Sequence, residues 1–173
     1  MTAVRIKYFT GFALYIISCA AVILLQSTGL MTLRIWTASP VLILPLVVYS
    51  GMYFGEYGGA VLGFLAGAAT DTYSSTLALN TVVLTVCGFA AGLIISRLFN
   101  RNFAAAAVLN VCASVLYFLI KWLFVYAFSD PSCGFVFTRF TLPSAVYTAA
   151  VGVLLFFILN PILKRIAVRP DKR

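Results

Sequence analysis

The stretch Gly51-Met-Tyr-Phe-Gly55-Glu-Tyr-Gly-Gly59-Ala-Val-Leu-Gly63-Phe-Leu-Ala-Gly67-Ala-Ala-Thr-Asp71 decides how this chain is folded. Glycine recurs at every fourth residue, and the next step of the series is Asp71. On a helix, residues four apart share a face, and small ones let a second helix come close. The series predicts a packing seam, with Gly55, Gly59, Gly63 and Gly67 as candidate helix-packing or partner-facing residues. It also carries its own interruption, the turn Gly55-Glu56-Tyr57-Gly58. A single helix from Pro40 to Asp71 would be roughly 48 Å long at 1.5 Å per residue. That exceeds a hydrocarbon core of ~30 Å and would leave Glu56 in mid-membrane. Two spans joined by a turn fit better.

Composition sets the surroundings of this stretch. The chain has 173 residues, 63% of them hydrophobic and 9% charged, with a mean hydropathy of +1.07. A soluble domain carries far more charge. Apolar runs of membrane-crossing length fill nearly everything between Tyr8 and Leu163, leaving no room for a soluble domain of about 50 residues. The first run is longer than a signal-peptide core and lacks a small-residue cleavage site, so it reads as a retained helix.

The expectation is an all-α integral membrane protein, one domain of six transmembrane helices. The spans fall at about 8–30, 40–54, 59–71, 77–99, 103–128 and 142–163, with a basic tail over 164–173. Pro40 opens the second span, Pro45 bends it, and Asn160-Pro161 ends the last helix. Trp36 suits a membrane interface. With both termini cytoplasmic, nine basic residues (Arg5, Lys7, Arg97, Arg101, Lys164, Arg165, Arg169, Lys172, Arg173) lie inside and two (Arg34, Arg139) outside. A five-span reading scores eight against three, so charge hardly separates the two and length decides.

The net charge of +8 sits at span ends and in tails, where it orients a membrane protein and is no nucleic-acid footprint. The basic tail could also touch anionic lipid. Cys19, Cys87, Cys112 and Cys133 show no C-x-x-C spacing, and three lie in apolar runs as small packers; neither a disulfide framework nor a metal site is suggested. The chain has no histidine. No paired carboxylates, G-x-S-x-G or Walker sequence is present. The expectation is no catalytic residue, no metal and no cofactor.

Asp71 and Lys121 are the charges nearest the membrane interior, and such charges are usually paired or face a cavity. A direct Asp71–Lys121 contact is one reading. The other has Lys121 snorkelling beside Trp122 and Tyr126 while Asp71 is solvated. Gln26, Asn80 and Asn110 are polar within spans. Each can staple helices, at about 0.6 kcal/mol per bond, or meet a ligand or a partner's backbone.

The order of these features resembles a known family. A first helix ends Leu24-Leu-Gln-Ser-Thr28, and Pro40 precedes an apolar run. Gly59-Ala-Val-Leu-Gly-Phe-Leu-Ala-Gly67 then leads to Asp71, and Leu77-Ala-Leu-Asn80 opens an apolar stretch holding Gly88 and Gly92. The string G-F-x-x-G-x-x-x-D followed by L-x-L-N is similar to that of MreD, the bacterial rod shape-determining membrane protein. The departures are Val41 for a usual acidic residue, Glu56 in a usually basic turn, and Ala78 for a usual glycine. The resemblance places Gly59, Gly63, Gly67 and Asp71 on the family's glycine–aspartate stretch and Asn80 on its L-N pair.

The resemblance implies a bundle similar to the S components of energy-coupling-factor transporters. It also implies partnership with MreC and, through it, with MreB, RodA and a penicillin-binding protein. The expected role is a non-enzymatic scaffold of lateral wall synthesis in the bacterial cytoplasmic membrane. The alternative is an S component that binds a vitamin or similar solute. That reading needs a polar or aromatic pocket open to the outer face, and the outer loops here are short and poor in polar groups.

Overall fold

The computed structural model describes residues 2–27, 40–73, 78–97, 103–125 and 137–166, which are almost wholly helical and contain no strand. The helices are α1 (Thr2–Ser27), α2 (Ile43–Tyr73), α3 (Leu79–Arg97), α4 (Phe103–Val125) and α5 (Leu142–Ile166). A π-helical turn, Phe137–Thr141, runs directly into α5. Among the described residues, three segments are long and apolar enough to cross a membrane: Leu79–Arg97, Phe103–Phe124 and Phe137–Pro161.

The interruption read in the sequence is real, and it sits at Gly55. There φ is 86° and ψ is −176°, a combination open in practice only to glycine. The two limbs of α2, 43–54 and 56–73, fold against each other. A Cβ built on Gly59 would lie 2.7 Å from the Cα of Gly51, whereas eight residues of continuous helix would separate them by about 12 Å.

The first limb is the axis of the molecule. Every residue from Leu42 to Gly55 is buried. At 1.5 Å per residue this limb is only roughly 18 Å long, short for a lipid-facing span, but neighbouring helices surround it. Helix α1 binds one side, where the Tyr15 hydroxyl donates to the Leu46 carbonyl at 2.7 Å and Phe12 meets Phe54 edge-on at 5.1 Å. Helix α5 binds another. Tyr49 donates to the Gly152 carbonyl at 2.5 Å, and Tyr53 donates to Asn160 Oδ1 at 2.5 Å. Between two apolar media, packing and hydrogen bonds must supply this cohesion.

Three proline expectations are corrected. Helix α2 starts at Ile43, not Pro40, because residues 40 and 41 are held outside it. The Pro40 carbonyl accepts from Gln26 Nε2 at 3.0 Å, and the Val41 amide donates to Thr148 Oγ1 at 3.1 Å. Pro45 thereby falls in the first turn, where its missing N–H costs nothing and no bend is required. Pro161 does not end the last helix, which continues to Ile166. A membrane helix tolerates the lost bond to the Phe157 carbonyl where neighbours pack closely.

Candidate functional site

The glycine series packs against α3 of the same chain, in antiparallel register. Gly59 meets Gly88, Gly63 meets Leu84 and Thr85, Gly67 meets Asn80 and Thr81, and Gly92 meets Gly55 and Glu56. A Cβ on Gly63 would lie 2.7 Å from the Leu84 carbonyl carbon and 2.9 Å from the Thr85 Cα. On Gly67 it would lie 2.8 Å from the Thr81 nitrogen, and on Gly88 2.7 Å from the Gly59 carbonyl carbon. No side chain fits at such distances, so backbone packs on backbone. The helix that the glycine face takes is thus the chain's own. Gly88 and Gly92 form the other half of the seam, which the periodicity of 51–67 alone could not show. Gly55 serves mainly as the reversal.

The seam ends at a polar corner built on Asp71. Its Oδ2 accepts from the Thr81 amide at 2.8 Å and from Thr81 Oγ1 at 2.6 Å. Its Oδ1 accepts from Asn80 Nδ2 at 2.9 Å and from the Asn80 amide at 3.3 Å. Asn80 and Thr81 lie in the first turn of α3, whose amides have no partner within the helix. Asp71 therefore caps α3 from the preceding helix. The residue at the usual capping position, Ala78, has no side-chain acceptor and carries a left-handed φ of 50°.

The corner extends to α4. The Tyr117 hydroxyl donates to Asn80 Oδ1 at 2.7 Å, and Lys121 Nζ lies 5.8 Å from the centroid of the Tyr117 ring. Asp71 and Lys121 thus belong to one corner, linked through Asn80 and Tyr117, with the Lys121 ammonium against the tyrosine ring.

The remaining sequence candidates are staples. Gln26 ties α1 to Pro40. Asn110 Nδ2 donates to the Ala149 carbonyl at 3.0 Å, and its amide lies over Gly152, where a Cβ would come 2.6 Å from Asn110 Cγ. Asn110 Oδ1 and Ser114 Oγ are buried with no hydrogen-bond partner among the described residues. Cys19 and Cys87 are buried thiols and Cys112 is exposed; Cys133 lies outside the described residues. Sequence reasoning missed Tyr15, Tyr49, Tyr53 and Tyr117 as interhelical donors. The available signal was that a tyrosine hydroxyl within an apolar run needs an acceptor.

Two apolar grooves open outward. One, about 360 Å³, lies between α4 and α5 along Val111, Val115, Leu119 and Val146. The other, about 240 Å³, lies between α1 and the second limb of α2, along Cys19, Ala20, Ala66 and Ala69. Among the described residues, no three His, Cys, Asp or Glu side chains gather as a metal site would require. The polar groups placed here hold helices together.

The family model of MreD, rod shape-determining protein, matches residues 7–166. Comparison with curated proteins and with solved structures gave no match.

Proposed function

The chain belongs to the MreD family of rod shape-determining proteins, and we propose that it serves as a non-enzymatic membrane scaffold of the lateral wall-synthesis machinery. It binds MreC and, through MreC, connects to MreB, RodA and a penicillin-binding protein. The family match over 7–166 carries this reading. Its helices cross the bacterial cytoplasmic membrane six times, the two limbs of α2 counting separately, with both termini cytoplasmic. The reversal at Gly55 and the antiparallel seam between the second limb and α3 support that path. The bundle is of the kind found in S components, without a bound solute.

A partner's transmembrane helix has to pack on an outward face, because α3 already covers the glycine face. The groove between α1 and the second limb of α2 suits it, since Cys19, Ala20, Ala66 and Ala69 keep the floor low and close approach supplies affinity in lipid.

The test is to extract the tagged chain from native membranes in mild detergent and identify co-purifying proteins by mass spectrometry. MreC is expected, with or without RodA. Ala20→Leu, which fills the groove from an exposed position, is expected to lose MreC without lowering thermal stability. Recovery of transporter ATPases with their membrane coupling subunit would replace the scaffold reading with the S-component one.

A further inference from the structure

The centre of α4 carries two polar atoms that the described helices leave unbonded. Ser114 is the middle residue of that helix, Phe103–Val125, about 16 Å from either end at 1.5 Å per residue. Asn110 lies one turn before it, on the same face. Both residues are wholly buried, at 0% exposure. Asn110 Oδ1 and Ser114 Oγ have no hydrogen-bond partner among the described residues, so they do not bond each other.

The orientation of the Asn110 amide is fixed. Its Nδ2 donates to the Ala149 carbonyl at 3.0 Å, and turning the amide over would set oxygen against oxygen. Gly152 makes room for it, since a Cβ there would lie 2.7 Å from Oδ1. Oδ1 only accepts, whereas the Ser114 hydroxyl both donates and accepts. Bulk water does not bathe the middle of a membrane-crossing helix, and a buried polar atom without a bond is costly.

We propose that Asn110 and Ser114 bind one water molecule inside the bundle, at the contact between α4 and α5. The water donates to Asn110 Oδ1 and bonds the Ser114 hydroxyl. Two polar partners suffice for a buried water. Two bonds of ordinary length at a water's angle span roughly 4.5 Å, which suits side chains whose Cβ atoms stand roughly 5–6 Å apart, one turn along a helix. Other ligands fit worse. An anion would meet the lone pairs of Oδ1. A hard cation takes about six oxygens, and the nearby Ala149 carbonyl already accepts from Asn110. A larger solute finds no exposed surface on either residue. The inference does not depend on which partner the protein binds.

The test is proton-detected solid-state NMR on the full, isotope-labelled chain in liposomes, following magnetisation from water to protein. The Asn110 Nδ2 protons, assigned by their loss in Asn110→Leu, are expected to receive it. The backbone amide of Val108, a lipid-facing residue of the same helix, should not. Ser114→Ala should weaken the transfer to Asn110. It should also lower the melting temperature by about 3 °C, the shift that one lost hydrogen bond makes in a chain of this size. Ser18→Ala, at an exposed serine within α1, sets the baseline for helix propensity. Absence of water transfer to Asn110 in the wild type overturns the proposal. So does a Ser114→Ala melting temperature equal to or above that of Ser18→Ala, which would mean that the hydroxyl had no partner to lose.

Discussion

Asp71 caps a helix it does not belong to: its Oδ2 takes both the amide and the hydroxyl of Thr81, ten residues further along the chain. The arrangement satisfies orphan amides of α3 and places a negative charge at the positive end of that helix. It also locks the end of the second limb of α2 to the start of α3, where the glycine seam finishes.

Removing this carboxylate should therefore cost more than an ordinary cap. Asp71→Ala is expected to destabilise the protein by about 2 kcal/mol, the upper range for a cap with charge-assisted bonds. Thr81→Val, which keeps the amide donor, should cost about 1 kcal/mol. Because both substitutions disturb one contact, the double variant should lose less than the sum. Thermal unfolding in detergent measures this, and an Asp71→Ala effect within the ±0.5 kcal/mol of a surface substitution would refute the cap.

Ala78 holds a left-handed φ of 50° at the mouth of α3, where an L-residue is strained and glycine is not. Ala78→Gly is expected to raise stability by about 1 kcal/mol, and Ala78→Val to lower it by at least as much. The opposite order in melting temperature would show that residue 78 does not adopt this conformation.

These two positions show how far the sequence could be read. Asp71 stood out because it continues the glycine series, but its task did not. A cap normally sits beside the helix it serves, and the adjacent Ala78 gives no such signal. The seam was legible because glycines four apart leave a periodic trace. Its other half, Gly88 and Gly92, belongs to a different helix, and no periodicity ties the two helices into register. Lys121 was marked by charge alone. Its place over Tyr117 depends on how Asn80 orients that ring, which is a tertiary fact. Pro40 and Pro161 misled because local rules place prolines at helix ends, whereas here contacts from Gln26 and Thr148 set the start of α2, and packing carries α5 through Pro161.

Gly59 and Gly88 meet backbone to backbone, so neither tolerates a methyl group. Gly59→Ala and Gly88→Ala should each cost about 2–3 kcal/mol, the range for forced overpacking. The double variant should be well short of additive, because the first substitution already parts the helices. Phe64→Leu, on the same limb but 55% exposed, should change stability by under about 0.5 kcal/mol. Fully additive glycine effects in detergent unfolding would mean that the two residues do not share a contact.

Gly55 tests the path of the chain itself. Its φ of 86° and ψ of −176° lie where a Cβ costs about 1–3 kcal/mol, and no neighbour can relieve a cost that comes from the residue's own backbone. Gly55→Ala is expected to destabilise the bundle by about 2 kcal/mol, while Tyr57→Ala, 77% exposed at the same reversal, should be nearly silent. A cysteine pair distinguishes strain from a straightened α2. With the native cysteines replaced, Cys at Leu46 and Cys at Leu62 should crosslink only if the limbs run side by side, since a continuous helix would hold them about 24 Å apart. Crosslinking that survives Gly55→Ala at reduced stability fits a strained reversal. Absence of crosslinking in the wild type, where both positions are buried in the core, would mean that the limbs do not fold back, and the six-crossing path would fall with them.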